Sequence, residues 1–301
     1  MNAISIRQLE VFVGIATLGT VRACAAQIHL SQPAASMALA ELEKQLDCPL
    51  FERTPGRMQL TSRGKQLLPH AREILERLRE MQSQQEESEL RGEIRIGASN
   101  TVGNYLIGDL VGQFVRQHPR VSLHVSVDNT ANIINQLLEH GCDIACVEGP
   151  VNHPQLETWI WREDALVVCA APDHPLATKA TLEKQDFAGM SWIMRERGSA
   201  SRALTEQALN VLPGGHVLME LGQVEAIKQA VIAGLGLACL PQAATLDAVA
   251  NQRLRILDTP FLDLKRRLSL VLHKERYRSQ VLSAFAEHVH SPESGSSASE
   301  T

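Results

Sequence analysis

The segment Gly19–Leu46, GTVRACAAQIHLSQPAASMALAELEKQL, holds two helix-forming apolar patterns that meet at a short break, His29-Leu30-Ser31. The second pattern opens with Ser31-Gln32-Pro33, a capping serine followed by a proline in the first helical turn. A short helix, a tight turn and a second helix form the unit that lays its second helix in a DNA major groove. An ordinary helical hairpin carries the same pattern. The neighbouring segments therefore decide between the two.

Upstream, Ser5-Ile6-Arg7-Gln8 is a capping-box pattern. Ile6, Leu9, Phe12, Val13 and Ala16 then repeat at helical spacing, and Gly19 ends this first helix. The next helix turns Val21, Ala25 and Ile28 inward and is about two turns long at roughly 3.6 residues each. The third runs from Ser31 to about Leu46, with Ala35, Leu39, Leu42 and Leu46 on its core side. Gln32, Ser36, Met37 and Ala40 fall on the other side, where a solvated helix usually carries charge. Glutamine binds adenine through two hydrogen bonds, serine reaches base edges or phosphate, and short side chains permit close groove approach.

Downstream, Cys48–Arg53 and Met58–Thr61 read as short extended runs around the turn signal Pro55-Gly56-Arg57. They predict a two-stranded wing with Arg53 and Arg57 placed for phosphate contact. Thr61-Ser62-Arg63-Gly64 opens a long helix to about Glu89, with Pro69 near its start. Leu67, Leu68, Ala71, Ile74, Leu75, Leu78 and Met81 form a stripe with no further helix nearby in sequence to cover it. Such a seam commonly meets its own copy across a two-fold axis. The polar stretch Gln82–Glu89 reads as a linker.

With these segments in place, residues 4–91 resemble the LysR-type transcriptional regulators. The resemblance rests on Arg7-Gln8-Leu9-Glu10-Val11-Phe12, Ser31-Gln32-Pro33-Ala34-Ala35-Ser36, Leu42-Glu43, Leu50-Phe51-Glu52-Arg53 and Leu60-Thr61-x-x-Gly64. It implies a winged helix-turn-helix bound to double-stranded promoter or operator DNA, and a homodimer formed through the linker helix that assembles to a homotetramer. The DNA-binding residues it marks are Thr20, Arg22, Ser31, Gln32, Pro33, Ser36, Met37, Arg53, Arg57 and Arg63. Met37 stands where many members have Arg or Lys, and Ala23 where many have Arg. Phosphate affinity is accordingly expected from the wing and from dimerisation, with Gln32 and Ser36 supplying base contacts.

Composition agrees with a regulator that touches nucleic acid at one end. A chain of 301 residues is too long for one ordinary core. A net charge of −5 argues against a protein that coats nucleic acid. Residues 1–65 nevertheless hold seven Lys/Arg against five acids, a net +2, which leaves −7 for the rest. The six cysteines form no C-x-x-C pair, so zinc and a disulfide framework are not expected and no metal or cofactor is assigned. Cys239 and the Cys142/Cys146 pair would be the first candidates for a redox-sensing thiol. The N-terminus has no secretion leader and no apolar run approaches a membrane span, which points to the cytoplasm.

The second half alternates strands and helices. Strands are expected at Glu93–Ala98, Val121–Val127, Cys142–Val147, Leu166–Ala171, Ser191–Met194, Val217–Leu221, Leu235–Leu240 and Ser269–His273. Helices are expected at Val102–Gln117, Thr130–Glu139 and Tyr277–His290. Two α/β lobes crossed twice by the chain are the architecture of periplasmic binding proteins, to which the LysR effector domain is similar. The fold class is thus α+β multidomain. The expected domains are 1–64 for DNA binding, 65–91 for the linker and dimerisation helix, and 92–290 for effector binding. Within the last, lobe I takes about 92–164 and 267–290, and lobe II about 165–266. The tail 291–301, SPESGSSASET, should be disordered.

Ligands of such folds bind between the lobes, at the carboxyl ends of strands. Four loops fit: Ser99-Asn100-Thr101, Asn129-Thr130, Arg195–Arg202 with Ser199 and Ser201, and Gly222-Gln223-Val224-Glu225. Each Ser, Thr or Asn alone is readily a helix cap. Four helix starts on one cleft favour a polar, anionic small co-inducer. Glu148, closing the third strand, would accept a ligand hydrogen bond or pair with an arginine. Trp159, Trp161 and Trp192 lie outside these loops, which disfavours a bulky aromatic ligand. The SQPAASMALAELE helix and RERGS loop resemble a subgroup linked to sulfur-metabolism control. An enzyme is disfavoured, because neither G-x-S-x-G nor H-E-x-x-H occurs and His153, His174 and His216 read as surface histidines.

Overall fold

The computed structural model describes residues 3–54, 57–83 and 89–290. The turn at Pro55-Gly56, the middle of the linker at 84–88 and the tail 291–301 lie outside the described residues. Packing divides the chain into two units. One comprises residues 1–92, 139–141 and 277–280, and the other residues 93–138, 142–276 and those from 281 onward.

In the first unit, helix α1 (Ile6–Leu18) starts on the capping box. Ser5 Oγ accepts from Gln8 N–H at 3.3 Å, and Gln8 Oε1 accepts from Ser5 N–H at 2.7 Å. Thr20 Oγ1 caps α2 (Val21–Gln27) by accepting from Ala23 N–H at 3.1 Å. Ser31 Oγ caps α3 (Gln32–Leu46) by accepting from Ala34 N–H at 3.3 Å. Each cap satisfies an N–H that the first turn leaves without an intrahelical partner. The helices close on Val11, Phe12, Ile15, Cys24, Ala35, Leu39 and Leu42. Within α2 the buried residues are Cys24 and Ala25, while Val21 and Ile28 are only half-buried. Val21 and Ile28 turn inward as expected and pack against this core from its edge, while the small Cys24, not expected there, sits at the centre of the contact.

Strands β1 (Phe51–Thr54) and β2 (Arg57–Leu60) pair antiparallel, with Phe51 opposite Leu60. The Glu43 carboxylate accepts the N–H groups of Leu50 and Phe51 at 2.7 and 3.2 Å, tying the wing to the end of α3. Helix α4 (Ser62–Ser83) continues unbroken through Pro69. Its stripe is not left open along its length, because α1 packs on α4 and Leu67, Leu68 and Ala71 join the core of this unit. Ile74 and Met81 remain exposed.

Gly64 shows why the chain needs glycine at that point. An ideal Cβ there would lie 2.2 Å from the backbone oxygen of Leu50. Thr61 Oγ1 fixes the same spot by donating to Pro49 O at 2.8 Å while accepting from Gly64 N–H at 2.9 Å.

The second unit runs β3 (Gly92–Ser99), a π-helical turn (Val102–Leu106), α5 (Ile107–Gln117), β4 (Val121–Asp128), α6 (Thr130–Leu138) and β5 (Ile144–Glu148). It continues with β6 (Leu156–Ala170), β7 (Ser191–Arg195), α7 (Ala200–Leu209), β8 (His216–Leu221) and α8 (Val224–Ile232). The remaining elements are β9 (Ala238–Pro241), α9 (Gln242–Ala250), β10 (Arg255–Leu257), β11 (Lys265–His273) and α10 (Gln280–His290). The helix expected over Val102–Gln117 is interrupted at its start by the π-turn, a feature that gathers at functional sites. The strand expected at Leu166–Ala171 is the second half of the 15-residue β6.

Strand β6 and its antiparallel partner β11 carry the chain between lobes. From Leu156 to Ala165 β6 pairs with β11, which also pairs with β5, and β5 pairs parallel with β3. From Leu166 onward β6 pairs with β9 and β10 instead. The lobe II strands bury both faces by alternation. Val168, Ala170, Trp192 and Met194 face one cluster, and Cys169 and Ile193 face the other, under α8 and α9. Gly64→Ala should lower the stability of the first unit by about 1–2 kcal/mol, the clash outweighing the helix-propensity gain. Differential scanning calorimetry of the full chain measures it, and an unchanged transition would contradict the close approach.

Candidate functional site

The first candidate site is the outward face of α3. Ser31, Gln32, Pro33, Ser36 and Met37 are exposed, with Met37 at 73%, while Ala35, Leu39 and Leu42 on the opposite face are buried. Alternation at helical spacing therefore puts the amide and hydroxyl side chains in water and leaves Gln32 and Ser36 open. Ser31 and Thr20 are already engaged as caps. Arg22 and Arg63 are exposed, and Arg63 donates to Gln66 at 3.2 Å. Arg57 is exposed and its Nε lies along Gly19, whose positive φ of 76° ends α1. The side chain of Arg53 lies outside the described residues.

The second candidate site lies between the two lobes of the second unit, and a residue absent from the expected set holds it together. Arg266, on β11 and almost fully buried, donates through Nε to Asp164 on β6 at 2.7 Å. Its Nη1 donates to Ser201 Oγ at 2.8 Å and its Nη2 to Thr101 Oγ1 at 3.0 Å. Its Nη1 also stands 3.9 Å from Glu148 Oε1. One guanidinium thus joins both crossing strands, a helix start of lobe II and the turn that follows β3 in lobe I.

Glu148 is buried at the end of β5. It accepts from the Ser99 hydroxyl and, at 3.3 Å, from Thr101 Oγ1, while its backbone oxygen accepts from Thr130 Oγ1 at 3.4 Å. The structure therefore brings Ser99, Thr101, Thr130, Glu148 and Ser201 together. Asn100 is buried beside them. Asn129 and Ser199 act as caps, accepting from Asn132 N–H at 3.0 Å and Arg202 N–H at 3.4 Å. Gln223 precedes α8, is exposed and makes no cap bond with its side chain.

Arg195 ends β7 and is buried. Its Nε and Nη2 hold the Glu196 carboxylate at 2.7 and 2.8 Å, while its Nη1 is buried and has no hydrogen-bond partner among the described residues. Tyr105, on the π-turn of lobe I, packs against the lobe II cluster of Val224, Ile227, Leu240 and Ala244. Burial first, and the Glu225 carboxylate that its hydroxyl meets, push the Tyr105 phenol up to about 12, with Arg195 opposing. Lys228 pairs with Glu225 at 2.7 Å.

Sequence reading missed Arg266, Asp164 and Tyr105. A signal for the first was present. Alternation along Lys265-Arg266-Arg267-Leu268 places Arg266 on the same face as Leu268, and burial follows that pattern.

Burial raises the thiols of Cys142 and Cys239 to about 12, and those of Cys146 and Cys169 higher still. Thiolate is the reactive form, so burial argues against the redox role considered for Cys239 and the Cys142/Cys146 pair. Among the described residues no group of three or more His, Cys, Asp or Glu is placed to hold a metal ion. Among them too, no helix is long and apolar enough to cross a membrane.

A helix-turn-helix with an open second helix, followed in one chain by a two-lobed α/β unit with polar side chains gathered between its lobes, is the arrangement of a DNA-binding regulator with an effector domain. Residues 6–65 match the family described as bacterial regulatory helix-turn-helix protein, lysR family, and residues 87–291 match the LysR substrate binding domain. The chain belongs to the LysR family of transcriptional regulators and is not an enzyme.

It is 35% identical over 286 residues to the HTH-type transcriptional regulator YeiE of Escherichia coli (strain K12), covering 95% of this chain and 97% of that one. Full-length OxyR from Pseudomonas aeruginosa shares the fold, with a TM-score of 0.76 and 22% identity over 96% of each chain. The Synechocystis CcmR regulatory domain in complex with 2-PG is similar at a TM-score of 0.61 and 28% identity. That likeness covers 66% of this chain and 96% of that one.

Two outcomes test this geometry. Arg266→Ala leaves Asp164 and Glu148 without their buried cation and should cost the second unit about 3–5 kcal/mol in urea unfolding. A loss below about 1 kcal/mol would mean the cluster is solvated. Iodoacetamide at neutral pH should leave Cys142, Cys146, Cys169 and Cys239 unlabelled until denaturant is added, as mass spectrometry would read.

Proposed function

We propose that the chain is a sequence-specific DNA-binding regulator whose activity is set by a small anionic metabolite bound between lobes I and II. The observation that carries the DNA half is the open N-terminal face of α3, where Gln32 and Ser36 are exposed over a fully apolar opposite face. In this reading Gln32 and Ser36 contact base edges, and Pro33 and Met37 lie close against the groove. Thr20, Arg22, Ser31, Arg53, Arg57 and Arg63 contact phosphate and fix register.

The effector half draws on Ser99, Asn100, Thr101, Asn129, Thr130, Glu148, Arg195, Ser199, Ser201 and Gln223 as the ligand surround. A binding role for this cleft is supported by the similar CcmR regulatory domain, described in complex with 2-PG. The proposed organisation is 1–64 for DNA binding, 65–91 for dimerisation and 92–290 for effector binding, with homodimers assembling to a homotetramer in the cytoplasm. The exposed Ile74 and Met81 on α4 support a partner helix there. The resemblance of the SQPAASMALAELE and RERGS segments supports control of sulfur metabolism as the setting.

The ligand acts by population shift. It favours one lobe arrangement only to the extent that it binds that arrangement more tightly, and the dimer contacts carry the difference to the spacing of the DNA heads. A gel shift with the chain's own upstream DNA tests the reading. Binding should be lost in the Arg53→Ala, Arg57→Ala double variant. Gln32→Ala should cost about 1–3 kcal/mol at one base position only, and so relax specificity there. Failure to retain any fragment from a genomic selection would sink the proposal.

A further inference from the structure

Two buried ionic groups border the space between the lobes, and they are left differently equipped. In lobe I the Ser99 and Thr101 hydroxyls, with the turn start they precede, make the natural seat for an anion. That seat already holds one: the Glu148 carboxylate accepts from both hydroxyls. Arg266 is shared between Glu148 and Asp164, so the cluster of one guanidinium and two carboxylates is not short of negative charge. A second anion placed against Glu148 meets a like charge in a low-dielectric setting.

In lobe II the position is reversed. Arg195 is 4% exposed, two of its nitrogens hold Glu196, and its buried Nη1 has no hydrogen-bond partner among the described residues. The guanidinium borders the inter-lobe space, because the loop that follows it meets lobe I, where Ala131 N–H donates to Gly198 O at 3.1 Å, and because Tyr105 of lobe I packs on the cluster that holds Ile193 of the same strand. A buried N–H without an acceptor is unfavourable, and an incoming acceptor removes that deficit.

From this polarity we infer that the effector is bifunctional, a small acid that also carries a hydrogen-bond donor. Its oxyanion lies on Arg195 Nη1 in lobe II. A hydroxyl or ammonium group a few bonds away turns to the Glu148 carboxylate in lobe I. Hydroxy acids and amino acids have this chemistry. A plain anion satisfies Arg195 alone and brings a second negative charge toward Glu148 with no donor between them. A molecule with both ends touches both lobes and so has the differential affinity that regulation requires. The inference rests on the reading of the cleft as the effector site.

Isothermal titration of the full chain decides it, with glycolate and serine as donor-bearing probes and acetate and sulfate as donor-free ones. Glycolate or serine should bind about tenfold or more tightly than acetate and sulfate, because only the first two present a donor, and not a further negative charge, to Glu148. Glu148→Gln, which keeps the shape and removes the charge, should collapse that ratio to within about threefold. Arg195→Met should weaken every probe by about tenfold or more, the usual scale for a charge-assisted hydrogen bond. If Arg195→Met loses its far-ultraviolet circular dichroism, Glu148→Gln decides alone. Equal affinity for acetate and glycolate, or a ratio untouched in Glu148→Gln, overturns the inference and leaves the cleft reading standing. Silence from all four probes removes both.

Discussion

The second unit depends on one buried guanidinium. Arg266 is surrounded by Asp164, Thr101, Ser201 and, farther off, Glu148, and almost none of it reaches water. Taking a guanidinium and two carboxylates out of water is costly, and the cost is offset only when the donors find acceptors with good geometry. Those acceptors come from four places in the chain, two on lobe I, one on β6 and one on lobe II. The requirement to satisfy Arg266 therefore constrains where the lobes can stand relative to one another. A shared set of bonds of this kind is discrete, since a packed interface holds distinct arrangements and does not deform smoothly.

The first unit answers a different constraint. Its three leading helices are short, and short helices gain little from their own hydrogen bonds. Side-chain caps at Ser5, Thr20 and Ser31 and an apolar core around Phe12, Ile15 and Leu42 compensate. Because the core claims one face of α3 completely, the other is free to be uncharged and open. Glu43 and Gly64 then fix the wing and the long helix by backbone contacts, one accepting two N–H groups and the other making room for a carbonyl. Function follows from what packing leaves over.

The candidate cleft was half legible. Carboxyl ends of strands followed by Ser, Thr or Asn pointed to four loops, and five of the ten residues named there, Ser99, Thr101, Thr130, Glu148 and Ser201, lie together in the structure. Asn129 and Ser199 are occupied as caps, the role those residue types most often take at a helix start. Glu148 was expected to accept from a ligand or pair with an arginine. It stands 3.9 Å from Arg266 and already accepts two hydroxyls of its own chain. Arg266 and Asp164 went unread because a charged residue in a polar run looks like a solvated one until the strand's partner is known. Tyr105 went unread because its packing partners belong to the other lobe.

By itself, the sequence determined whatever depends on neighbours along the chain. Helix starts, the turn between α2 and α3, the inward spacing of Ala35, Leu39 and Leu42, and the order of strands and helices are all local, set by caps, periods of 3.6 or 2, and Gly or Pro. Only the tertiary structure decided what depends on residues far apart in sequence. It made Leu166–Ala170 the second half of a strand spanning both lobes, covered half of the α4 stripe with α1, placed Cys24 at the centre of the head, and gave Arg266 its partners. A buried charge is specified by the groups that surround it, and no spacing rule along one chain reveals which distant oxygens those will be.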